Sequence, residues 1–337
     1  MEINLKEVIR DAGVLAQGYI VREGFVFTAI THPSNIFDAI IVRQPHDARC
    51  LVFNAGCSKH DLKAQIDFIN EYKIEKAVLI ADDIGFITKC PCLKHLRIIP
   101  ADNTVGEFDY SPLYHMPNIK SLQCSTSYGF RGERKTSIDY ANIKGIESIA
   151  VSEQGHKNIK NVNTLKSLGI SDFKDVDLTN MFNSLCLDTL TIIKSKIKSL
   201  EGLQKSLNLQ CLYLYYNRNL QDIAALRGVN KTLKALRIEN CPRIEDFSVL
   251  KDMENLQLLE LSGNNKLSSL DFLKNIRELK TFIFSMEVLD GDLSPCLDLS
   301  YVYCEKNRKH YNLKDCDLPK GIYIRGNESI EEWRRAE

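Results

Sequence analysis

The sequence lacks an excess of charge of either sign, because its 44 lysines and arginines are balanced by 44 aspartates and glutamates. A balanced chain presents no global field that would attract nucleic acid, a membrane surface or a strongly acidic partner. No apolar run reaches the roughly 18 residues that a membrane-spanning helix needs. The first residues also show no basic start followed by an apolar stretch and a cleavage site. We therefore expect a cytoplasmic protein with neither a nucleic-acid nor a membrane partner.

Catalytic and metal-binding motifs are also missing. The 337 residues contain no Gly-rich phosphate loop, no HExxH and no GxSxG, which are the patterns that would indicate a nucleotide, zinc-peptidase or hydrolase site. Cys90 and Cys92 form a CxC, and no second pair lies at zinc-ligand spacing. Cysteines such as Cys124, Cys211 and Cys241 fall inside apolar strand patterns, as free thiols of a reducing compartment do. We expect no metal, no cofactor and eleven free thiols.

What the sequence does contain is a repeat. Copies of the pattern LxxLxL, with other apolar residues at some positions, begin 19 to 24 residues apart, at Ile146, Leu165, Leu187, Leu209, Leu233, Leu256 and Leu279. More degenerate copies begin at Ile74, Leu93 and Ile119. A period of this length indicates a leucine-rich repeat array, in which each unit supplies one short parallel strand and a return segment.

The return segments indicate which kind of array this is. After Asn264, apolar residues recur at every third position, at Leu267, Leu270 and Leu273, which favours short 3₁₀ or irregular turns over a long helix. The pattern resembles the short-repeat class of bacterial internalins, whose repeats are about 22 residues long. This resemblance implies an α/β leucine-rich repeat solenoid, with a parallel sheet on its concave face and short returns on its convex face. Internalins carry an export signal and a surface anchor that are not found here, so their host-receptor role is not carried over.

Three domains follow from the extent of the repeats. Residues 74–305 are the predicted solenoid, and residues 306–337 are a C-terminal cap that covers the last repeat. Residues 1–73 are a small N-terminal α/β cap, in which apolar runs at 25–30, 39–42 and 50–53 predict strands. A capping-box pattern at 58–61 opens a predicted helix over 61–73.

The start of that helix also carries the only candidates for catalysis, Cys57 and His60. A helix N-terminus can lower the pKa of a thiol, but the sequence identifies no orienting acid or oxyanion donor beside them. We expect a protein that is not an enzyme. The alternative is an enzyme whose small N-terminal domain uses Cys57 and His60, with the repeats choosing the substrate.

The resemblance also implies a structural role for one position of each repeat. The position eight residues after the first leucine turns inward in this family, and its side chain bonds backbone groups that the bend after the strand leaves unpaired. Asn217, Cys241 and Asn264 occupy this position. We expect all three to be buried and structural.

The remaining strand positions predict a binding face. Strand alternation sends Leu212 and Leu214 into the core and Tyr213 and Tyr215 outward, with Tyr216 at the bend. Equivalent positions of neighbouring strands form rows. The first predicted row is Thr191, Tyr213, Arg237, Glu260 and Ile283, and the second is Ile193, Tyr215, Glu239, Ser262 and Ser285. In earlier repeats the same positions are small, at Ala150, Gly169, Ser152 and Ser171.

Tyrosine and arginine are enriched at the hot spots of protein interfaces. We therefore expect a monomer that binds a protein partner on the concave face, through Ile193, Tyr213, Tyr215, Tyr216, Arg237, Glu239 and Glu260. The alternative is that Arg237 pairs with Glu260 across the sheet while the tyrosines cover apolar stems. One concrete role for such a scaffold is a bacterial immunity protein that neutralises a toxin, and an intracellular effector is equally compatible with the sequence.

Overall fold

The fold is that of a computed structural model, which describes residues 19–22, 25–32, 35–43, 62–71, 73, 75–81, 83–100, 108–124, 138–152, 156–181 and 187–324. The chain divides into two compact units, the first ending at Ile159 and the second beginning at Lys160. The predicted strand at 50–53 and the pair Cys57 and His60 lie outside the described residues.

The first unit begins with antiparallel strands and continues with parallel ones. Its strands are β1 (Tyr19–Arg22), β2 (Phe25–His32), β3 (Asn35–Arg43), β4 (Lys76–Ala81), β5 (His95–Pro100), β6 (Ser121–Cys124), β7 (Ile138–Asp139), β8 (Ser148–Ser152) and β9 (His156–Lys157). Strands β1, β2 and β3 pair antiparallel, and from β3 onward each strand of the order β3-β4-β5-β6-β8 pairs parallel with the next.

The crossover from β3 to β4 contains the α-helix α1 (Leu62–Glu71). A parallel connection needs a crossover of a dozen or more residues, and the chain between Arg43 and Lys76 supplies it. The predicted runs 25–30 and 39–42 lie within β2 and β3, and the predicted helix 61–73 contains α1. No helix among the described residues is both long and apolar enough to cross a membrane.

The second unit is built from one parallel strand per repeat. Its main sheet has the order β10 (Ser167–Ser171), β11 (Thr189–Ile193), β12 (Cys211–Tyr215), β13 (Ala235–Glu239), β14 (Leu258–Ser262), β16 (Thr281–Phe284) and β18 (Tyr301–Cys304). Two short strands, β15 (Lys266–Leu267) and β17 (Glu287–Val288), pair separately. The register is constant, so that Leu212 lies beside Leu190 and Leu236.

The returns between strands are short 3₁₀ helices, as the period-three spacing predicts. In the described parts of the chain they are Gly85–Lys89, Ser111–His115, Tyr140–Asn142, Ile159–Asn161, Leu203–Lys205, Ala224–Val229, Ser248–Asp252, Asp271–Asn275 and Ser294–Cys296, and a further 3₁₀ helix, Asp315–Asp317, follows β18. The leucines of the repeat close the core between strands and returns. Leu212, Leu214 and Leu226 are fully buried, and each such side chain contributes about 1.5–3 kcal/mol to stability.

The bends after β10, β11, β12 and β13 use a left-handed residue at the same repeat position. Asp172, Lys194, Tyr216 and Asn240 have φ between 50° and 58°, a conformation that costs a residue other than glycine roughly 1–2 kcal/mol. Each bend is held by a backbone bond to the next strand, such as Tyr216 N to the carbonyl oxygen of Glu239 at 2.8 Å. This bend turns the following residue into the core.

The residues turned inward satisfy the backbone of the preceding repeat. Oδ1 of Asn217 accepts a hydrogen bond from the backbone N of Ser195 at 2.9 Å, and its Nδ2 donates to the carbonyl oxygen of Ile192 at 2.9 Å. Cys241 is fully buried, and its Sγ lies 3.8 Å from the carbonyl oxygen of Leu214.

The prediction for Asn264 is wrong by one residue. Asn264 is exposed, whereas Asn265 is buried and its Nδ2 donates to the carbonyl oxygens of Cys241 and Ile244 at 3.1 and 2.8 Å. The cause is Gly263, whose φ of 137° is open to glycine but not to the left-handed residues of the other bends. The bend therefore extends over one further residue before the chain turns inward.

Candidate protein-binding face

The side of the second unit's sheet that points away from the leucine core is called the outer face here, and it corresponds to the predicted concave face. The register places Tyr213 beside Thr191 and Arg237, and Arg237 beside Glu260. Tyr215 lies beside Ile193 and Glu239 in the second row. That row ends at Ser262, because β16 stops at Phe284 and the hydroxyl of Ser285 instead accepts a bond from Gly263 N at 3.0 Å.

A third row of the outer face is absent from the predicted site. Strand alternation extended two residues back from Tyr213 places Cys211 on the same face, in register with Ala235, Leu258 and Thr281. These side chains are small or apolar and at most 5% exposed. The sequence signal for this row is the same period of two that identifies Tyr213 and Tyr215. Cys211 sits in an apolar pattern because it belongs to this row.

Arg237 is the centre of the polar contacts on this face. Its Nε lies 3.4 Å from Oε2 of Glu260, which is the cross-strand ion pair that the alternative interpretation expects. Its guanidinium also lies over the ring of Tyr213, 5.2 Å from the centroid. The rings of Tyr213 and Tyr215 are 6.4 Å apart. An arginine over an aromatic ring gains roughly 0.5–2 kcal/mol, with the larger values for pairs removed from water.

The expectation that these side chains are exposed is wrong. Tyr213 is 3% exposed, Tyr215 is 6% and Arg237 is 8%. Tyr213 and Tyr215 belong, together with Cys211, to an apolar cluster against which Ile193 and Tyr323 pack. Tyr323 comes from the chain that follows the last repeat strand, so the outer face is covered in part by the protein's own C-terminal segment.

That segment, residues 319–324, is held by defined contacts. Val302 N bonds the carbonyl oxygen of Pro319 at 2.8 Å, and Gly321 N bonds the carbonyl oxygen of Ser300 at 2.9 Å. Ile324 N then donates to Oγ1 of Thr281 at 3.0 Å. The segment therefore passes from the edge of β18 to β16 and carries the side chain of Tyr323 over the sheet.

The similarities that the chain shows are to solved structures. No protein-family model and no curated protein matches the chain. The chain is similar to a crystal structure of the internalin InlF from Listeria monocytogenes, with 17% identity and a TM-score of 0.46, over 77% of this chain and 76% of that one. It is also similar to the functional domain of InlJ from Listeria monocytogenes, with 16% identity and a TM-score of 0.42, over 66% of this chain and 51% of that one.

A third similar structure is that of TLR13 in complex with ssRNA13, with 16% identity and a TM-score of 0.47, over 72% of this chain and 44% of that one. The chain thus spans only about half or less of the InlJ and TLR13 chains. At these identities such likenesses concern the fold alone. The chain's own geometry shows what that fold is, since each repeat contributes one parallel strand, an inward-turned bend residue and a short return. The fold is a leucine-rich repeat fold.

The exposed part of this leucine-rich repeat face lies around the covered cluster. Tyr216 is 42% exposed at the bend after β12, and Ile193 and Glu239 are partly exposed beside Tyr215. The side chain of Glu260 is 19% exposed. Of the predicted binding residues, these four are the ones that are exposed or partly exposed.

The described cysteines of the leucine-rich repeat chain are free thiols, and most are buried. Burial raises the pKa of the Cys90 and Cys241 thiols to about 11 and that of Cys296 to about 12, because the low-polarity surroundings disfavour a thiolate. Such thiols are poor nucleophiles at neutral pH. Within the described ranges, no three His, Cys, Asp or Glu side chains are placed to hold a metal ion.

Proposed function

We propose that the chain is a non-enzymatic scaffold that binds a protein partner through the outer face of its second unit. The observation that carries this proposal is that the face already holds a segment of chain from outside the repeats. Tyr323 packs on the cluster of Cys211, Tyr213 and Tyr215, and its hydroxyl accepts a hydrogen bond from Arg237. A surface that accommodates an aromatic side chain with a polar tip has the chemistry of a protein interface.

The charges on the face favour a protein over a nucleic acid. Arg237 is accompanied by Glu239 and Glu260 in the same two rows, and Arg237 already pairs with Glu260. A phosphate backbone is bound by clustered basic side chains, which these acids would oppose. A protein surface can meet both signs of charge.

The more specific role that we propose is that of a cytoplasmic, monomeric immunity protein of a bacterium, whose partner is a toxin. The repeat scaffold keeps its core positions while the outer rows vary, which suits a binder of a variable target. The buried free thiols Cys241 and Cys296 support a reducing compartment. An intracellular effector that binds a protein of another cell is the second candidate, and the same surface serves both.

The enzymatic alternative depends on Cys57 and His60, which lie outside the described residues. Among the described cysteines, those with a raised pKa are unsuited to nucleophilic catalysis. Cys57→Ser separates the two classes, since it would abolish an enzymatic activity and leave binding to a protein partner unchanged.

The proposal is tested by capturing the partner from native cells and titrating it calorimetrically against variants. Tyr216→Ala and Glu239→Ala change exposed positions of the outer face, and we expect at least one to weaken binding by about 1–4 kcal/mol, the range of hot-spot truncations. The matched control is Leu289→Ala, which removes a side chain that is 51% exposed and lies outside the three rows. The proposal is wrong if the control weakens binding while both face variants bind like the parent protein.

A further inference from the structure

The C-terminal segment covers an apolar patch of the outer face that is suited to another occupant. The patch consists of Cys211, Tyr213, Tyr215, Ala235 and Leu258, all at most 6% exposed. If the segment moved away, this patch would lie open on the sheet, and contiguous exposed apolar surface typically marks a site of protein interaction. The outer face therefore carries an apolar patch that a short stretch of chain covers.

The contacts of Tyr323 show which kind of side chain the patch accepts. The ring packs on the apolar patch and meets the ring of Tyr301 edge to face, with 5.4 Å between centroids. Its hydroxyl lies 3.3 Å from Nη2 of Arg237, which donates the hydrogen bond. The site thus takes a planar ring with a hydrogen-bonding tip, as tyrosine provides.

The backbone of the segment is positioned by a close approach at Gly321. A Cβ added at Gly321 would lie 2.7 Å from the carbonyl oxygen of Ser300, a distance that real Cβ atoms do not tolerate. The residue that follows, Ile322, is 80% exposed. Alternation along the segment thus directs Tyr323 to the sheet and Ile322 to solvent, which is how an extended peptide lies on a surface.

Two of the four residues 321–324, Gly321 and Ile322, are exposed rather than packed on the sheet. The backbone N of Gly321 donates to the carbonyl oxygen of Ser300 and that of Ile324 donates to the hydroxyl of Thr281, beside the contacts of the Tyr323 side chain. Segments with few buried contacts open locally at a small cost in free energy. Residues 315–320 are held more firmly, because Lys320 Nζ bonds the carbonyl oxygen of Val302 and Oδ1 of Asp315, both at 2.7 Å. Opening can therefore begin after Lys320.

We propose that residues 321–324 are a tethered occupant of the docking site, and that a partner displaces them with an extended segment that places an aromatic side chain where Tyr323 lies. This inference rests on the proposed function, and it identifies the chemistry of the partner's anchoring residue. Because the tethered segment competes at a high effective concentration, only a partner that binds more tightly than the segment engages the face. The covered state then lowers the apparent affinity for weaker partners.

Thiol labelling tests the proposal in the full-length chain without knowledge of the partner. Cys211 lies in the covered patch and is 5% exposed, so its rate of alkylation, resolved by mass spectrometry, reports on release of the segment. We expect Tyr323→Ala to raise the rate at Cys211 on the order of tenfold, the effect of losing one hot-spot contact. Gly321→Ala, which retains the tyrosine but obstructs its approach, raises it as well. Ile322→Ala leaves it unchanged.

Two other thiols serve as internal controls. Cys241 is fully buried in the leucine core, and Cys316 is exposed. Release of the segment leaves the labelling rate of both unchanged, whereas loss of global stability raises the rate at Cys241 together with that at Cys211. Equal rates at Cys211 in the parent protein and Tyr323→Ala, or a parallel rise at Cys241, overturn the proposal.

A synthetic peptide distinguishes a docking site from a structural cover. The peptide LPKGIYI, residues 318–324, is added to the Tyr323→Ala variant, and we expect it to restore slow labelling of Cys211 in a saturable manner. The peptide with alanine in place of tyrosine has no effect. If the intact peptide gives no protection, the face does not dock a free segment and the proposal is wrong. If the peptide protects Cys211 while a captured partner is weakened by Leu289→Ala and by neither Tyr216→Ala nor Glu239→Ala, the proposed function is wrong and residues 321–324 remain an occupant of the docking site.

Discussion

Arg237 and Tyr323 are 86 residues apart in the sequence, and the guanidinium of the first donates a hydrogen bond to the hydroxyl of the second at 3.3 Å. The same guanidinium lies over Tyr213 and beside Glu260. One side chain therefore joins the middle of the repeat sheet to the segment that covers it. A substitution of Arg237 therefore changes the stability of the fold as well as the proposed binding face, and both quantities are to be measured for the same variant.

We expect Arg237→Ala to lower the free energy of unfolding of the second unit by about 1–3 kcal/mol, since it leaves a buried cluster without its hydrogen-bond and ion-pair partner. In a double-mutant cycle with Tyr323→Phe, the coupling free energy should be about 0.5–1.5 kcal/mol, the net value of one hydrogen bond. Urea unfolding measures both quantities. Arg227→Ala is the matched control, because Arg227 pairs with Asp252 while its side chain is 56% exposed, and such a pair contributes about 0–1 kcal/mol. Equal losses for the two arginines would contradict the buried role of Arg237.

A second prediction separates two neighbouring asparagines. Asn265→Ala should destabilise the second unit by roughly 1–3 kcal/mol, because it leaves the carbonyl groups of Cys241 and Ile244 without their side-chain donor. Asn264→Ala changes an exposed side chain and should stay within about 0.5 kcal/mol of the parent protein. Thermal melting of the two variants measures this difference. A larger loss of stability for Asn264→Ala than for Asn265→Ala would refute the assignment of Asn265 to the inward position.

The pH dependence of stability follows from the buried thiols. Burial raises the pKa of the Cys241 thiol from its ordinary value of 9.0 to about 11. Between these values the unfolded chain loses the thiol proton while the folded chain retains it, so stability is fully present below pH 9 and declines as the pH rises to about 11. The slope is about 1.4 kcal/mol per pH unit for each such thiol.

Cys241→Ala should therefore make the loss of stability between pH 9 and pH 11 less steep, by up to about 1.4 kcal/mol per pH unit, the contribution of one thiol. Urea unfolding at a series of alkaline pH values measures the slope for the variant and the parent protein. Identical slopes would show that the Cys241 thiol is not protected from ionisation in the fold.

A further prediction concerns the redox state of the chain. All described cysteines are free, and we expect the purified protein to carry eleven thiols, the number of cysteines in its sequence. Thiol titration under denaturing, non-reducing conditions, with oxidation blocked at lysis, counts them. Two or more stable disulfides would argue against a reducing compartment.

The sequence predicts the repeat sheet well because each strand is specified locally. Every LxxLxL copy from Leu165 to Leu279 coincides with one strand, since the alternating and period-three apolar positions are short-range patterns. The inward position at Asn265 was not predictable from spacing alone, because it depends on the φ angle of Gly263. The composition of the rows was also predictable, but their exposure was not.

Exposure depends on a contact between distant parts of the chain. Nothing in the local pattern of Tyr213 or Tyr215 indicates that Tyr323 packs against them, and a single sequence carries no signal for such a pairing. The small row of Ala235 and Thr281 leaves space for the segment, but small side chains on an outer face are also found where nothing covers them. The sequence thus predicts which residues form the candidate site and their order in the rows. The structure adds the C-terminal segment that covers them.

The end of the repeat sheet has a consequence for how copies of the chain behave toward one another. The terminal strand β18 has its backbone engaged by the chain that follows it, through Pro319 O, Gly321 N and the antiparallel bridge of Tyr301 with Lys320. A free strand edge is a template on which a second molecule can add a strand, and blocking it is a known protection against aggregation. The short stretch that carries Tyr323 onto the sheet thus also occupies the free edge of β18. A second molecule therefore cannot add a strand there and extend the sheet.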